Sequence, residues 1–346
     1  IETPYTTASG AAAFAMGNGA TASSNYSTAM GNGTTASGGA STAMGDYTKA
    51  SGYASTASGQ GTTASGNYST ALGINTTATK QGSFAVGADT VADGLESSAL
   101  GRGSIASGDY STAMGLLTTA SGYWSTAMGY QSEASGNSST AMGYYTSASG
   151  DYSTAMGYNT QASGNSSTAM GQGTSAQDYC TIVIGLFNKT KETSNPNQYS
   201  LQNTAFVIGN GVSDNRSNAF EVLFDGTTTI AGDLNINSDA RLKANIISLG
   251  ATLSKLLQID GKTYTMKKDA NHKKKIGLLA QDIEKVFPEL VTENNDIKSV
   301  NYQGLVPVLI NAMKEQDEVI RSQDQRLDQQ QKQIDNLKLM LEKLLK

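Results

Sequence analysis

The sequence predicts a mainly β protein in which a parallel β-roll, or solenoid, of 14-residue coils forms a homotrimeric fibre. A small β connector follows, and then an α/β domain that ends in a trimeric coiled coil. Three observations support this fold class. Glycine recurs once in every repeat from Gly17 to Gly185, alanine recurs in two columns at the same period, and apolar residues follow heptad spacing near the C-terminus.

Each repeat reads approximately Thr-x-Ala-Ser-Gly-x-x-Ser-Thr-Ala-Met-Gly. A 14-residue period with two glycine turns and two short strands is typical of one solenoid coil. The glycine, serine and threonine content excludes a helix in this region. Disorder is the alternative for such a composition, but a disordered linker has no reason to keep alanine in two unbroken columns.

Strand alternation assigns the faces of each coil. If both alanine columns point inward, a mostly polar column that includes Ser9 and Ser23 points outward on one side. On the other side an apolar column runs from Met16 to Ile184, interrupted only by Ser58. An alanine-only core buries little surface, so an exposed stripe of this length predicts association. A cyclic homotrimer about the fibre axis is the expected closure.

This repeat resembles the head of YadA-like trimeric adhesins, a left-handed parallel β-roll with 14-residue repeats of Ser-x-Ala-x-Gly type. Residues 69–73 (Ser-Thr-Ala-Leu-Gly) and 83–87 (Ser-Phe-Ala-Val-Gly) match that motif as they stand. The resemblance covers residues 5–185. It implies a trimeric extracellular stalk or head, often adhesive.

Aromatic residues recur in the predicted turns. The segment around Tyr26 returns near-identically in every third repeat, and Tyr130 and Tyr158 also fall in predicted turns. Packing beside the turns is one interpretation. The other is a ladder of exposed, rigid rings that contact a host-surface receptor or glycan. The candidate contact residues are Tyr26, Tyr68, Tyr110, Tyr123, Trp124, Tyr144, Tyr145 and Tyr152.

Residues 186–237 read as a β connector, with predicted strands at 204–209, 219–224 and 228–234. Charge changes where this segment ends. Residues 1–237 carry six basic and fourteen acidic side chains, and residues 238–346 carry eighteen basic and fifteen acidic. The part of the chain before Ser238 therefore offers little that could bind a phosphate backbone, and nucleic acid is not an expected partner.

Two smaller features complete the part of the chain before Ser238. Cys180 is the single cysteine, which excludes an intrachain disulfide, and its apolar surroundings predict a small buried residue in a strand. Residues 1–4 resemble neither a signal peptide nor a natural initiator, which indicates a fragment or a processed product.

The C-terminal segment reads as a mixed α/β domain. Spacing is partly helical over residues 241–257, 262–266 is a predicted strand, and Pro288 ends a short helix over 281–287. A last helix is predicted over residues 300–346. Its apolar heptad residues and its glutamine layers predict a coiled coil, with a trimer preferred because the fibre requires one. Position a holds Met313, Ile320, Leu327, Ile334 and Leu341, and position d holds Gln316, Gln323, Gln330, Leu337 and Leu344.

Four motifs in this segment resemble the endosialidase-type intramolecular chaperone, the self-cleaving C-terminal domain of phage tailspikes and tail fibres. They are residues 238–243 (Ser-Asp-x-Arg-x-Lys), 277–283, 287–291, and Tyr302 leading to 305–309. Asp282 departs from the commoner Glu. Together with the repeats and the connector strands, the resemblance predicts domains at 1–185 (repeat fibre), 186–237 (connector), 238–308 (chaperone and autoprotease) and 309–346 (coiled coil).

The resemblance also implies trimerisation, help in folding the preceding β structure, and cleavage between Asn237 and Ser238. Ser238 would attack the Asn237 carbonyl, and a desolvated Lys243 would act as general base. Asp239 and Arg241 either form a helix cap and a surface charge or act as an orienting ion pair. A loop position is expected for His272, the single histidine.

The predicted function is a trimeric extracellular or virion fibre whose C-terminal domain is an assembly chaperone and a single-turnover protease. No carboxylate pair or triad in the repeats predicts another enzyme. No cofactor, repeat-bound metal or membrane span is expected, since the sequence has neither an aspartate ladder nor a run of eighteen apolar residues. An ice- or glycan-binding solenoid without autoproteolysis is the alternative, because threonines also recur at coil spacing.

Overall fold

The computed structural model describes residues 5–267 and 272–345. Two compact units divide the chain, Ile1–Asn235 and Ile236–Lys346. Two expectations fall outside the described residues. They are the fragment end or processed start expected at residues 1–4 and the helix end expected at residue 346.

The repeat region is a solenoid in which each coil contributes one short strand and one long strand. The short strands are two residues long and form a 13-stranded sheet. Their bounds are Thr7–Ala8, Thr21–Ala22, Thr35–Ala36, Lys49–Ala50, Thr63–Ala64, Thr77–Ala78, Val91–Ala92, Ile105–Ala106, Thr119–Ala120, Glu133–Ala134, Ser147–Ala148, Gln161–Ala162 and Ser175–Ala176.

The long strands begin a second sheet of 16 strands. Each repeat strand pairs in parallel with the equivalent strand of the next coil, so that Ala71 lies opposite Ala85 and Gly73 opposite Gly87. This register confirms the predicted parallel solenoid. The bounds are Phe14–Met16, Thr28–Asn32, Thr42–Asp46, Thr56–Gln60, Thr70–Ile74, Phe84–Ala88, Ser98–Arg102, Thr112–Leu116, Thr126–Tyr130, Thr140–Tyr144, Thr154–Tyr158, Thr168–Gln172 and Ile182–Leu186.

The solenoid interior consists of small side chains. The alanine columns from Ala22 to Ala176 and from Ala29 to Ala169 are buried, as the sequence predicts. Two hydroxyl columns that the sequence analysis did not place inside are buried with them, represented by Ser69 and Thr76. Residues i and i+2 of a strand share a face, so the serine two residues before each buried alanine points inward as well.

The repeating glycines are required by the stacking of coils. Gly115 has φ 137°, a conformation that side-chain-bearing residues rarely adopt, and a Cβ placed on it would lie 2.0 Å from the carbonyl oxygen of Gly129. The same close approach recurs along the column, for example between Gly73 and Gly87. Any side chain at these positions would separate neighbouring coils.

The connector strands extend the solenoid sheet rather than forming a separate β bead. Strand Thr204–Asn210 pairs in parallel with Ile182–Leu186, and Gly209 lies opposite Gly185. The repeat period is therefore interrupted by a longer loop but continues in space. Antiparallel strands Asn218–Leu223 and Thr228–Ile230 complete the sheet.

Side chains of this longer loop and of the last turn before it cover the C-terminal end of the solenoid. The amide of Asn188 accepts the Ser175 backbone N–H (2.7 Å) and donates to the Ser175 carbonyl oxygen (3.0 Å), as a further strand would. The buried carboxylate of Asp178 accepts the backbone N–H groups of Asn195 and Thr204 at 2.9 and 2.8 Å. These contacts satisfy backbone groups that an uncovered sheet edge would expose.

The C-terminal unit contains two small hairpins and one long helix, with a core around Ile283, Phe287 and Val308. Its helices are α1 (Leu253–Leu256), α2 (Ala280–Val286) and α3 (Leu305–Leu344). Its strands pair as Lys262–Tyr264 with Lys275–Gly277 and Val291–Asn294 with Ile297–Val300, and its 3₁₀ turns are Ala240–Leu242, Pro288–Leu290 and Tyr302–Gly304.

Within residues 241–257, α1 and one 3₁₀ turn are helical, in keeping with the partly helical spacing. Two sequence predictions were wrong in detail. The last helix begins at Leu305, because Val300 pairs with Val291 in a hairpin. Cys180 is half-buried in a turn with φ 57°, just before strand Ile182–Leu186, rather than in the strand. Among the described helices, none is long and apolar enough to span a membrane.

Candidate functional site

The junction that the sequence singles out brings its serine and lysine together. Lys243 Nζ donates a hydrogen bond to Ser238 Oγ at 2.7 Å. The 3₁₀ turn Ala240–Leu242 lies between them and returns the chain so that the two side chains meet. The two atoms therefore lie within the distance over which a proton could pass between them.

Asp239 both caps the turn and forms an ion pair with Arg241. The Asp239 carboxylate caps the 3₁₀ turn by accepting the Arg241 backbone N–H at 2.9 Å. It also accepts the Arg241 guanidinium, from Nε at 3.1 Å and from Nη2 at 2.6 Å. The Arg241 side chain, and then its backbone N–H, lower the pKa of the Asp239 carboxyl. The pair therefore links residues of the turn that lies between Ser238 and Lys243.

The junction is open to solvent in the single chain. Asn237, Ser238 and Lys243 are all exposed, and so is the extended segment that follows them. Large apolar side chains in that segment are exposed too, with Ile247 at 87%. His272, assigned to a loop from the sequence, is exposed and has no regular secondary structure.

The candidate aromatic residues fall into three groups. In the first, Tyr110, Tyr123 and Trp124 form a cluster in two neighbouring coils, with ring centroids 4.4 Å apart for Tyr123 and Trp124 and 5.6 Å apart for Tyr110 and Tyr123. Tyr110 and Trp124 occupy equivalent turn positions with φ 59° and 56°.

The second group is a stacked ladder. Tyr130, Tyr144 and Tyr158 end three neighbouring long strands, and their rings stack at 4.7 and 5.2 Å with interplanar angles of 12° and 7°. The prediction that these three lie in turns was wrong, because they are the last strand residues. Tyr145, in the turn that follows, packs edge-on against Tyr144.

The third group consists of turn tyrosines away from both clusters. Tyr26, Tyr68 and Tyr152 have φ between 59° and 60° and are exposed. Tyr68 contacts Tyr53 edge-on, with centroids 5.6 Å apart. Tyrosines of this column lie at least three coils apart, about 14 Å at ordinary strand spacing, too far to touch.

The outward threonines and methionines share one face of the long-strand sheet. In strand Thr112–Leu116, Thr112 is half-buried and Met114 is 40% exposed, and the alanine between them points inward. The predicted apolar stripe is therefore present on the surface of the single chain.

Comparison with known proteins supports both resemblances. The YadA head domain repeat matches residues 8–34, 36–62, 64–90, 92–117, 120–146 and 148–174. The family described as chaperone of endosialidase (peptidase S74) matches residues 238–292, and so begins at the serine of the junction.

The similar curated proteins are phage fibres. A long tail fiber protein Gp37 of Enterobacteria phage M1 is 32% identical over 116 residues, which covers 30% of this chain and 46% of that protein. Gp37 of Salmonella phage S16 is 36% identical over 83 residues, covering 21% and 11%. The chain thus spans less than half the length of these relatives. It is similar to phage long tail fibre proteins over part of its length, and it contains segments that match the YadA head domain repeat and, from Ser238, the chaperone-of-endosialidase family.

Proposed function

We propose that the chain is the precursor of a trimeric virion tail fibre that binds a host surface and is released from its own assembly domain by cleavage between Asn237 and Ser238. The single observation that carries the cleavage is the 2.7 Å contact of Lys243 Nζ with Ser238 Oγ. It lies at the first residue of the matched chaperone segment.

The long helix supports trimerisation. Helix α3 has 40 residues, about 60 Å at 1.5 Å per residue, and the buried ones among them are Leu305, Val308 and Ala312. Its heptad positions Ile320 and Leu327 are 46% and 60% exposed in the single chain. Apolar side chains that recur at position a and stay exposed over this length favour partner helices, with glutamine layers between them. A threefold bundle also suits a fibre with the repeats above.

A trimeric tail would help the preceding β structure to assemble. Linking three chains at their C-terminal ends raises the effective concentration of the repeat regions relative to one another. Strand pairing across long sequence separations is otherwise slow. Removal of the tail afterwards makes assembly difficult to reverse.

The proposed cleavage uses only the residues at the junction and one water molecule. Ser238 Oγ attacks the Asn237 carbonyl carbon while Lys243 Nζ takes the hydroxyl proton. The Asn237–Ser238 C–N bond breaks, its nitrogen receives that proton, and an ester joins Asn237 to Ser238 Oγ. Water then hydrolyses the ester, which leaves a carboxylate on Asn237 and restores the Ser238 hydroxyl.

Lys243 is exposed in the single chain, and the proposed chemistry requires that water be excluded from it. A protonated ammonium can donate to Ser238 Oγ but cannot accept its proton, and water stabilises the charged form. We infer that a neighbouring chain covers the junction in the trimer, where apolar side chains such as Ile247 are available to exclude water. Cleavage then follows assembly.

The fibre part of the proposal is tested on the intact Ser238→Ala variant, which keeps one species in solution. Light scattering should give a mass about three times the 35.9 kDa of one chain. The labelled variant should also bind to susceptible bacteria. A monomer would contradict the trimer, and a trimer that binds no bacterial surface would contradict the attachment function.

A further inference from the structure

The three aromatic groups differ in what their rings offer to a ligand. In the stacked ladder, Tyr130 and Tyr158 cover both faces of the Tyr144 ring, so that neither face is open to a ligand. In the cluster of Tyr110, Tyr123 and Trp124, the rings meet at 45° to 88° instead. Trp124 is the single tryptophan and is 58% exposed.

Polar acceptors surround this cluster. Asp109 precedes Tyr110, and its Oδ1 accepts the Leu95 backbone N–H at 2.8 Å, while Oδ2 has no hydrogen bond within the described residues. Asn137, one coil further, accepts the Tyr123 backbone N–H at 3.3 Å. Glu96 lies one coil before Tyr110, and Glu96 and Asp109 contribute to raising the pKa of the Tyr110 hydroxyl, after desolvation.

Positive charge is missing from this part of the sequence. Between Arg102 and Lys189 there is no lysine or arginine, whereas Asp109, Glu133 and Asp151 fall within that stretch. The carboxylates of Asp109 and Glu96 would therefore repel an anionic ligand at the cluster. A ligand with an apolar face and hydroxyl or amino donors would meet exposed rings and carboxylate acceptors instead.

We propose that Tyr110, Tyr123 and Trp124, with Asp109 and Glu96, form a binding site for an uncharged or amine-bearing sugar of a bacterial surface glycan. The C–H face of the pyranose lies on the Trp124 ring, and its hydroxyl or amino groups donate to the carboxylates. The inference rests on the proposed attachment function and adds a location and a charge preference. Acidic sugars are excluded by Asp109 and Glu96.

The chain itself supplies conservative variants. Trp124 occupies a turn position with positive φ that other coils fill with Ala40 and Ala54, so Trp124→Ala removes the ring without requiring a new backbone conformation. Leu117→Asn is the matched control. It is an exposed apolar residue in the other positive-φ turn column, where Asn75 and Asn159 occur naturally.

The experiment measures binding of the full chain to immobilised neutral, amino-bearing and carboxylated or sialylated oligosaccharides. The wild type and Leu117→Asn should bind members of the first two classes and not the third. Trp124→Ala should weaken that binding about tenfold or more, as expected for an exposed aromatic anchor. Asp109→Asn should weaken the binding of amine-bearing sugars more than that of neutral sugars, because it removes the negative charge and keeps a hydrogen-bond acceptor.

Several outcomes would overturn the site. They are preference for acidic sugars, no binding of neutral or amino sugars, or equal binding by Trp124→Ala. A changed oligomeric mass for Trp124→Ala would instead assign the cluster to subunit contact. Binding to bacterial cells distinguishes failure of the sugar site from failure of the attachment function. If Trp124→Ala binds cells as the wild type does, the proposed site is wrong and the fibre function stands. If the wild type fails to bind cells, the fibre function itself fails.

Discussion

The two units of the chain differ in how completely they bury their apolar side chains within a single chain. In the solenoid, alanines are buried in coil after coil from Ala22 to Ala176, and two sheets of 13 and 16 strands run along the repeats. In the C-terminal unit, the small core around Ile283 is closed, but most of α3 and the segment after Ser238 are exposed. The first unit is built by backbone stacking within one chain, whereas the second leaves apolar side chains exposed that the proposed trimer would cover.

The largest expected effect is loss of assembly. Replacing Ile320 and Leu327 together by aspartate puts charge into the predicted seam, and we expect the trimer to dissociate to monomers. Sedimentation analysis of the Ser238→Ala chain measures this. Replacing Gln325 and Gln329 together by aspartate adds the same charge at outer heptad positions and should leave the chain trimeric. Monomers from both double variants would contradict the heptad assignment.

The next effect lies in the solenoid. Gly115→Ala places a Cβ 2.0 Å from the Gly129 carbonyl oxygen at φ 137°, and we expect a loss of more than about 4 kcal/mol of unfolding free energy. Thermal melting of the repeat signal measures it. Gly61→Asn, at a turn position where Asn75 already has φ 51°, should cost less than about 1 kcal/mol. Equal melting of both variants would show that coil stacking does not constrain the glycine column.

A smaller effect separates the interior from the surface of one strand. Ala113→Leu should cost about 1–3 kcal/mol, because the fully buried alanine column leaves no room for a larger side chain. Its neighbour Met114 points outward, so Met114→Leu should change the unfolding free energy by less than about 0.5 kcal/mol. The assignment of faces fails if the exposed substitution is the costlier one in chemical denaturation.

The smallest effect concerns the C-terminal unit at low pH. The Glu315 carboxylate accepts the Thr252 and Leu253 backbone N–H groups at the start of α1, and the Thr252 amide is the main reason that the Glu315 pKa is lowered. Because the Glu315 pKa is lower in the folded state than in the unfolded state, the contact stabilises the fold at any pH above the unfolded-state pKa. This stabilisation is lost as pH falls through the folded-state pKa, so α1 should loosen below about pH 4. Hydrogen exchange at Thr252 measures it, and Glu315→Gln should remove the pH dependence.

Much of the solenoid could be predicted because the same residue types recur at the same positions in successive coils. A position such as Ala71 recurs in every coil, so one sequence shows the inward face many times over. The same alternation would have predicted the buried Ser69, two residues earlier. The period alone could not show that Gly209 continues the column of Gly185, because a longer loop separates them.

The C-terminal unit was harder to predict because each local pattern occurs once. Val300 has an apolar helical neighbourhood in sequence, yet hairpin pairing with Val291 decides its structure. At the junction, the sequence predicted the Ser238 and Lys243 pair, and the structure places their side chains in contact. In the proposed trimer, coverage of Lys243 by a neighbouring chain would be a contact between chains, which no local sequence pattern encodes. Among the aromatic residues, the sequence could single out Trp124 as a candidate. It could not show that the Trp124 ring is mostly exposed, whereas the Tyr144 ring is stacked between two neighbours.

The central claim is that the C-terminal unit separates itself from the fibre, and the intact mass of the purified chain tests it most directly. The wild type should give two products, residues 1–237 and residues 238–346, the second beginning at Ser238. Ser238→Ala and Lys243→Ala should remain intact, while Ser248→Ala should cleave as the wild type does. An intact wild-type trimer, or cleavage that persists in Ser238→Ala, would contradict the account.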